Sequence, residues 1–266
     1  MKPPKRPPAA LLTLGRTKFG KLAASALLLG LLTLAALAAA LAPAPANHLS
    51  VYAAESLREV LPRIAPNPTY NFAGSGALQL QIERGAPADV FVSASPKEAQ
   101  GLFRVGLCTR PVTFATNVVV LLVPKSNPGG IRSVYSLRKG NRRLAVGVPG
   151  VPVGDYTRTL LARMRLSSIL TTNTVTLEAS VSGITSKVAL GAVDAGFTYI
   201  TDGRIVADRV SVIRLPMWAQ PPVRYLACAV KRAGADASQA QAFVKRLTGD
   251  RARGLLRGAG FGLPPR

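Results

Sequence analysis

Histidine and cysteine are almost missing from this chain: His48 stands alone, and Cys108 and Cys228 are the only thiols among 266 residues. No cluster of His, Cys, Asp and Glu shows metal-ligand spacing, so a zinc site or a His-based catalytic dyad has nothing to be built from. A GxSxG elbow, a P-loop and an HExxH helix are absent as well. No catalytic machinery is assembled, and neither an enzyme nor a bound cofactor is expected. Aromatic residues make up only 6%, and Lys and Arg are scattered along the length. Nucleic-acid binding, which gathers basic residues into a motif or interleaves them with aromatics, is not expected.

Acids are scarce too, 12 against 34 Lys and Arg, for a formal charge of +22. Six of those bases, Lys2, Lys5, Arg6, Arg16, Lys18 and Lys21, precede a charge-free Leu/Ala run over 23–42 and the segment Pro43-Ala44-Pro45-Ala46. A basic n-region, an apolar h-region and small residues at an A-x-A position describe an export signal over 1–46. The apolar run is also about 20 residues long, the length of a membrane anchor with its basic side kept inside. Both readings put the folded body outside the cytoplasmic membrane, in the periplasm or cell envelope. No Cys follows the run, so a lipid-anchored form is not expected. The body keeps 28 bases against 12 acids, about +16, enough to concentrate anions and speed their arrival. In an exported chain Cys108 and Cys228 suit a disulfide, and they equally suit two small buried thiols.

Short apolar strands alternate with helical patterns along the rest. Strands are expected over 49–53, 69–72, 90–93, 117–123, 144–148, 174–177, 195–199, 210–215 and 225–230. Helices are expected over 56–64, 77–84, 96–103, 155–164, 181–190, 238–247 and 250–258. This alternation implies an α/β fold with mostly parallel sheets covered on both faces. No Gly-, Pro- or Ser-rich linker separates contiguous domains. The long strands 117–123 and 225–230 suit a chain that leaves one lobe, builds a second and returns, with a ligand in the cleft between them. That puts lobe I at 47–121 plus 229–266 and lobe II at 122–228.

Four strand-to-helix junctions share one chemistry. They are Ala54-Glu55-Ser56-Leu57, Gly74-Ser75-Gly76-Ala77, Val151-Pro152-Val153-Gly154 and Ala179-Ser180-Val181-Ser182. Helix starts present unpaired N–H groups and partial positive charge, a ready anion site. Ser and Gly there add donors without blocking access. Singly, such residues are ordinary caps and turns; four converging on one cleft make an oxyanion site.

These junctions fall within longer motifs. They include Tyr52-Ala53-Ala54-Glu55-Ser56-Leu57, Phe72-Ala73-Gly74-Ser75-Gly76-Ala77-Leu78 and Gly85-Ala86-Pro87-Ala88-Asp89-Val90-Phe91. Val151-Pro152-Val153-Gly154-Asp155-Tyr156 and Asp194-Ala195-Gly196-Phe197-Thr198-Tyr199 follow. In this order and over nearly the whole body, the chain resembles the periplasmic molybdate-binding protein family. The resemblance implies a two-lobed periplasmic-binding-protein fold and reversible capture of molybdate or tungstate. It implies delivery to an ABC permease and a monomeric protein. It assigns Ser56 and Ser75 as serine ligands, Val153 and Val181 as backbone N–H donors, and Tyr199 as a phenol donor. Val153 stands where the family often has Ala. Donor-only coordination suits a fully deprotonated dianion, whereas a protonated phosphate wants an acceptor.

Glu55 and Asp155 are acids beside this set. Aimed inward they would repel an anion; aimed at solvent or capping a helix they would not. Other oxyanions such as sulfate or phosphate are the nearest alternative. A transcription-regulator sensor would need a helix-turn-helix where the export signal stands. A porphyrin-pathway deaminase would need a cysteine-linked cofactor. Shared architecture alone supports neither.

Overall fold

The computed structural model describes residues 48–265, so the signal expected over 1–46 lies outside them. Among the described residues ten strands form two five-stranded sheets. The strands are β1 Ser50–Ala54, β2 Thr69–Ala73, β3 Val90–Ser93, β4 Val112–Asn117, β5 Val119–Pro124, β6 Arg143–Gly147, β7 Thr174–Glu178, β8 Ala195–Tyr199, β9 Val210–Arg214 and β10 Val223–Ala229. The α-helices are α1 Leu61–Ile64, α2 Ser75–Glu83, α3 Pro96–Arg104, α4 Pro152–Arg163, α5 Ile169–Thr172, α6 Val181–Ala189, α7 Ile200–Ile205, α8 Ala237–Thr248 and α9 Asp250–Gly258.

The first sheet runs β2-β1-β3-β10-β4 and the second β7-β6-β8-β5-β9. In each, three parallel strands are followed by one antiparallel strand, β10 in the first and β5 in the second. The expected α/β class with mostly parallel sheets is what is seen. All six residues of β5 are buried, the unbroken apolar pattern of a strand covered on both faces.

The expected strand over 117–123 is two strands. The chain breaks at Val118, and β4 and β5 enter different sheets. The boundaries expected at 121/122 and 228/229 therefore cut through β5 and β10. The sheets exchange chain at Val118 and again over 215–222. Apolar continuity hid the break, because β-branched residues read alike in either sheet. The helix expected over 56–64 is a 3₁₀ turn, Glu55–Leu57, followed by α1. Pro62 accounts for this, since its ring and missing N–H do not let an α-helix run through from residue 56.

Cys108 and Cys228 form a disulfide with Cα atoms 5.9 Å apart, tying the loop after α3 to β10. It belongs to a small apolar cluster with Leu78, Phe91 and Leu102. Among the described residues no helix is long and apolar enough to cross a membrane.

Candidate functional site

At the strand ends of the two sheets, a small cavity is lined by Ser56, Ser75, Val153, Val181 and Tyr199, all five expected residues. Each arrives from a strand end. Ser56 lies in the 3₁₀ turn after β1, and Ser75 is the first residue of α2, after β2. Val153 is the second residue of α4, after β6, and Val181 opens α6, after β7. Tyr199 ends β8. Helix first turns leave N–H groups without intrahelical acceptors, so the starts of α2, α4 and α6 aim donors and the positive dipole end at one place.

The side chains are set as donors too. Ser75 Oγ accepts from the Ala94 N–H at 3.0 Å, leaving its own proton to give. Tyr199 is 1% exposed, and its phenol oxygen has no partner among the described residues. Burial pushes the Tyr199 pKa well up, so it stays a donor. A buried phenol without an acceptor is costly unless something supplies one. A ligand that offers an oxygen would supply it.

Two glycines let the halves meet. A Cβ at Gly74 would lie 2.6 Å from the Ala179 carbonyl oxygen, and one at Gly76 would collide with the Gly150 carbonyl. Backbone from the first sheet's loop thus packs directly on loops of the second.

The two acids left open by the sequence are both engaged. Glu55 lies at the cavity edge, but its carboxylate is gripped by Arg58, Nε at 2.6 Å and Nη2 at 2.9 Å. Arg58 in turn lies over the Phe72 ring, 4.8 Å from its centroid. Asp155 accepts from the Gly150 N–H at 2.9 Å and from Lys97 Nζ at 3.3 Å. It braces the turn before α4 and does not line the cavity. Among the described residues no group of three or more His, Cys, Asp and Glu is placed to hold a metal ion.

Sequence reasoning missed a buried polar group behind Ser56. Tyr225 of β10, Asn117 at the end of β4 and Thr201 of α7 are joined by hydrogen bonds. Asp202, next to Thr201, is 5% exposed, and one of its carboxyl oxygens has no partner among the described residues. Burial raises its pKa to about 7. Nothing in the spacing of these residues marks them, because their partners lie 84 to 169 positions away.

Two like sheets, a double crossing and a small donor-lined cavity between them define a two-lobed binding protein. The family model for bacterial extracellular solute-binding proteins matches residues 49–262. Molybdate-binding protein ModA of Mycobacterium tuberculosis H37Rv is 34% identical over 229 residues, covering 82% of this chain and 86% of that protein. ModA of Haemophilus influenzae is 30% identical, with 82% and 91% covered. The solved periplasmic molybdate-binding protein of Azotobacter vinelandii superposes with a TM-score of 0.73 at 25% identity, covering 82% of this chain and all of that one. The chain belongs to the bacterial extracellular solute-binding proteins, and within them to the molybdate-binding ModA family.

Proposed function

We propose that this protein captures molybdate reversibly in the cavity between its sheets and hands it to an ABC permease. The observation that carries the reading is the convergence of Ser56, Ser75, Val153, Val181 and Tyr199 on one cavity. These groups offer two hydroxyls, a phenol and helix-start N–H groups, and the acids nearest them are engaged elsewhere.

The lobes are the halves built on each sheet, hinged at Val118 and 215–222, closing on the ion and docking closed on the permease. The protein works exported and monomeric, on the outer side of the cytoplasmic membrane. Tungstate, of the same shape and charge, binds the same donors. Sulfate is the rival that this donor set admits. Phosphate is disfavoured, because its proton wants an acceptor and both oxygens of Glu55 are already held by Arg58.

Calorimetry on the mature protein with molybdate, tungstate, sulfate and phosphate tests the proposal. Molybdate and tungstate are expected to bind below about 1 μM, near −8 kcal/mol, and the other two far more weakly. Ser56→Ala and Ser75→Ala should each weaken binding by about 1–3 kcal/mol, the worth of a hydrogen bond to a charged group. Preference for sulfate or phosphate would overturn the molybdate reading, and full affinity in both variants would overturn the site.

A further inference from the structure

A serine hydroxyl can give or take a hydrogen bond, and only a given one helps to hold an anion. For Ser56 the choice lies with the groups behind it. Its Oγ is 2.9 Å from Tyr225 Oη. Asn117 Nδ2 lies 3.3 Å from the same phenol oxygen and 2.9 Å from Thr201 Oγ1. The Asn117 amide cannot be turned over, because its Oδ1 accepts from the Val118 N–H at 2.9 Å. Its nitrogen therefore faces Thr201 and Tyr225 and gives one proton to each. A phenol oxygen that already receives one bond has a single proton left, and Ser56 Oγ is the acceptor within its reach. Once Ser56 receives that proton, its own is turned away from Tyr225, on a residue that lines the cavity.

We infer that Tyr225, oriented by Asn117, is a positioning residue that fixes the Ser56 hydroxyl as a donor into the cavity. This rests on the oxyanion reading of the site. The four side chains are buried, Ser56 and Asn117 at 7%, Thr201 at 3% and Tyr225 at 0% exposure, so bulk water does not compete for the relay. The Tyr225 ring is held edge-on by Phe114, Tyr199 and Phe261, with centroids 6.3, 6.2 and 5.3 Å away. Burial also keeps its phenol protonated at any working pH. Ser75 is the built-in contrast: a backbone N–H, which can only donate, occupies its acceptor side, so it needs no relay.

The test is a pair of double-mutant cycles read by titration with molybdate. Tyr225→Phe keeps the ring and removes the hydroxyl, and is expected to weaken binding roughly 5- to 30-fold. If the effect runs through Ser56, Tyr225→Phe combined with Ser56→Ala binds within about twofold of Ser56→Ala alone. Combined with Ser75→Ala, the two losses multiply. A merely structural role would multiply in both cycles, and that outcome, or no loss from Tyr225→Phe, overturns the relay while leaving a binding wild type intact. A wild type silent to all four ions overturns the oxyanion reading instead. The relay is judged independently by NMR of the ligand-free protein, on the Asn117 side-chain amide protons. Tyr225→Phe should shift the one facing residue 225 and spare the one facing Thr201; an unmoved pair overturns it.

Discussion

In the folded protein the Asp202 carboxyl titrates at about 7 instead of 3.8, because burial opposes its charge. An amide at that position carries no charge at any pH, so Asp202→Asn isolates the effect. As pH rises through 3.8 the unfolded chain gives up this proton while the folded one keeps it. The folded state then binds more protons, and stability falls with pH until the folded pKa is reached. Above pH 7 both states are ionised and the loss levels off. Three units at about 1.4 kcal/mol each set the full cost near 4 kcal/mol as an order of magnitude. Asp202→Asn should therefore be more stable than wild type by about 2–4 kcal/mol at pH 8. That margin should shrink steadily to about 1 kcal/mol by pH 4.5. Urea unfolding at pH 4.5, 6 and 8 measures it. The same charge lies close enough to Tyr199 to raise that phenol's pKa, so molybdate affinity should drop above pH 7 in wild type and stay level in the variant. A stability difference that does not change with pH would refute the reasoning.

The disulfide and the glycine contact give two further tests. Cys108 and Cys228 close a loop with a separation of 120 residues, worth about 5 kcal/mol in the chain-entropy account. Reduction should lower the unfolding free energy by about 3–5 kcal/mol, read as a shift in the urea midpoint with and without dithiothreitol; an unmoved midpoint would show that the bond does not constrain the unfolded chain. Gly74 has φ −62° and ψ 135°, which alanine adopts freely, yet its Cβ would sit 2.6 Å from the Ala179 carbonyl oxygen across the cavity. Gly74→Ala should weaken molybdate binding at least tenfold in calorimetry, while the ligand-free melting temperature moves little. Unchanged affinity would mean that this contact is not part of the bound state.

The fold class and the site junctions were legible because both are local. Helix starts are marked by Ser, Gly and Pro beside an apolar strand end, and Ser56, Ser75, Val153 and Val181 all stand at such starts. Sheet membership was less legible. The strand β4, Val112–Asn117, carries two threonines and an asparagine, too polar a pattern to mark a strand. The crossing at Val118 falls inside one apolar run. The disulfide depends on where β10 lies, since the Cys108 loop bridges to Val230, two residues past Cys228. The relay of Asn117, Thr201 and Tyr225 and the burial of Asp202 depend wholly on tertiary contact. Periodicity reports which face of an element is apolar, and says nothing about which distant element covers it.

Four carboxylates lie close enough to weaken an anion site, and they are countered in different ways. Glu55 is matched by a two-pronged Arg58. Asp155 is spent on a backbone N–H and on Lys97. Asp202 and Glu98 form no ion pair among the described residues, and burial raises the pKa of both, so each holds its proton to higher pH than an exposed acid. What remains facing the cavity is a set of neutral donors. Such a set holds a dianion by the number and direction of its hydrogen bonds, and loses to water any ion that must itself donate. The excess of basic residues elsewhere acts at longer range, on the rate of arrival and not on the choice of ion. Of these devices the protons on buried Asp202 and Glu98 respond to pH, so acids that the sequence did not mark, rather than the two it did, tie the site to its surroundings.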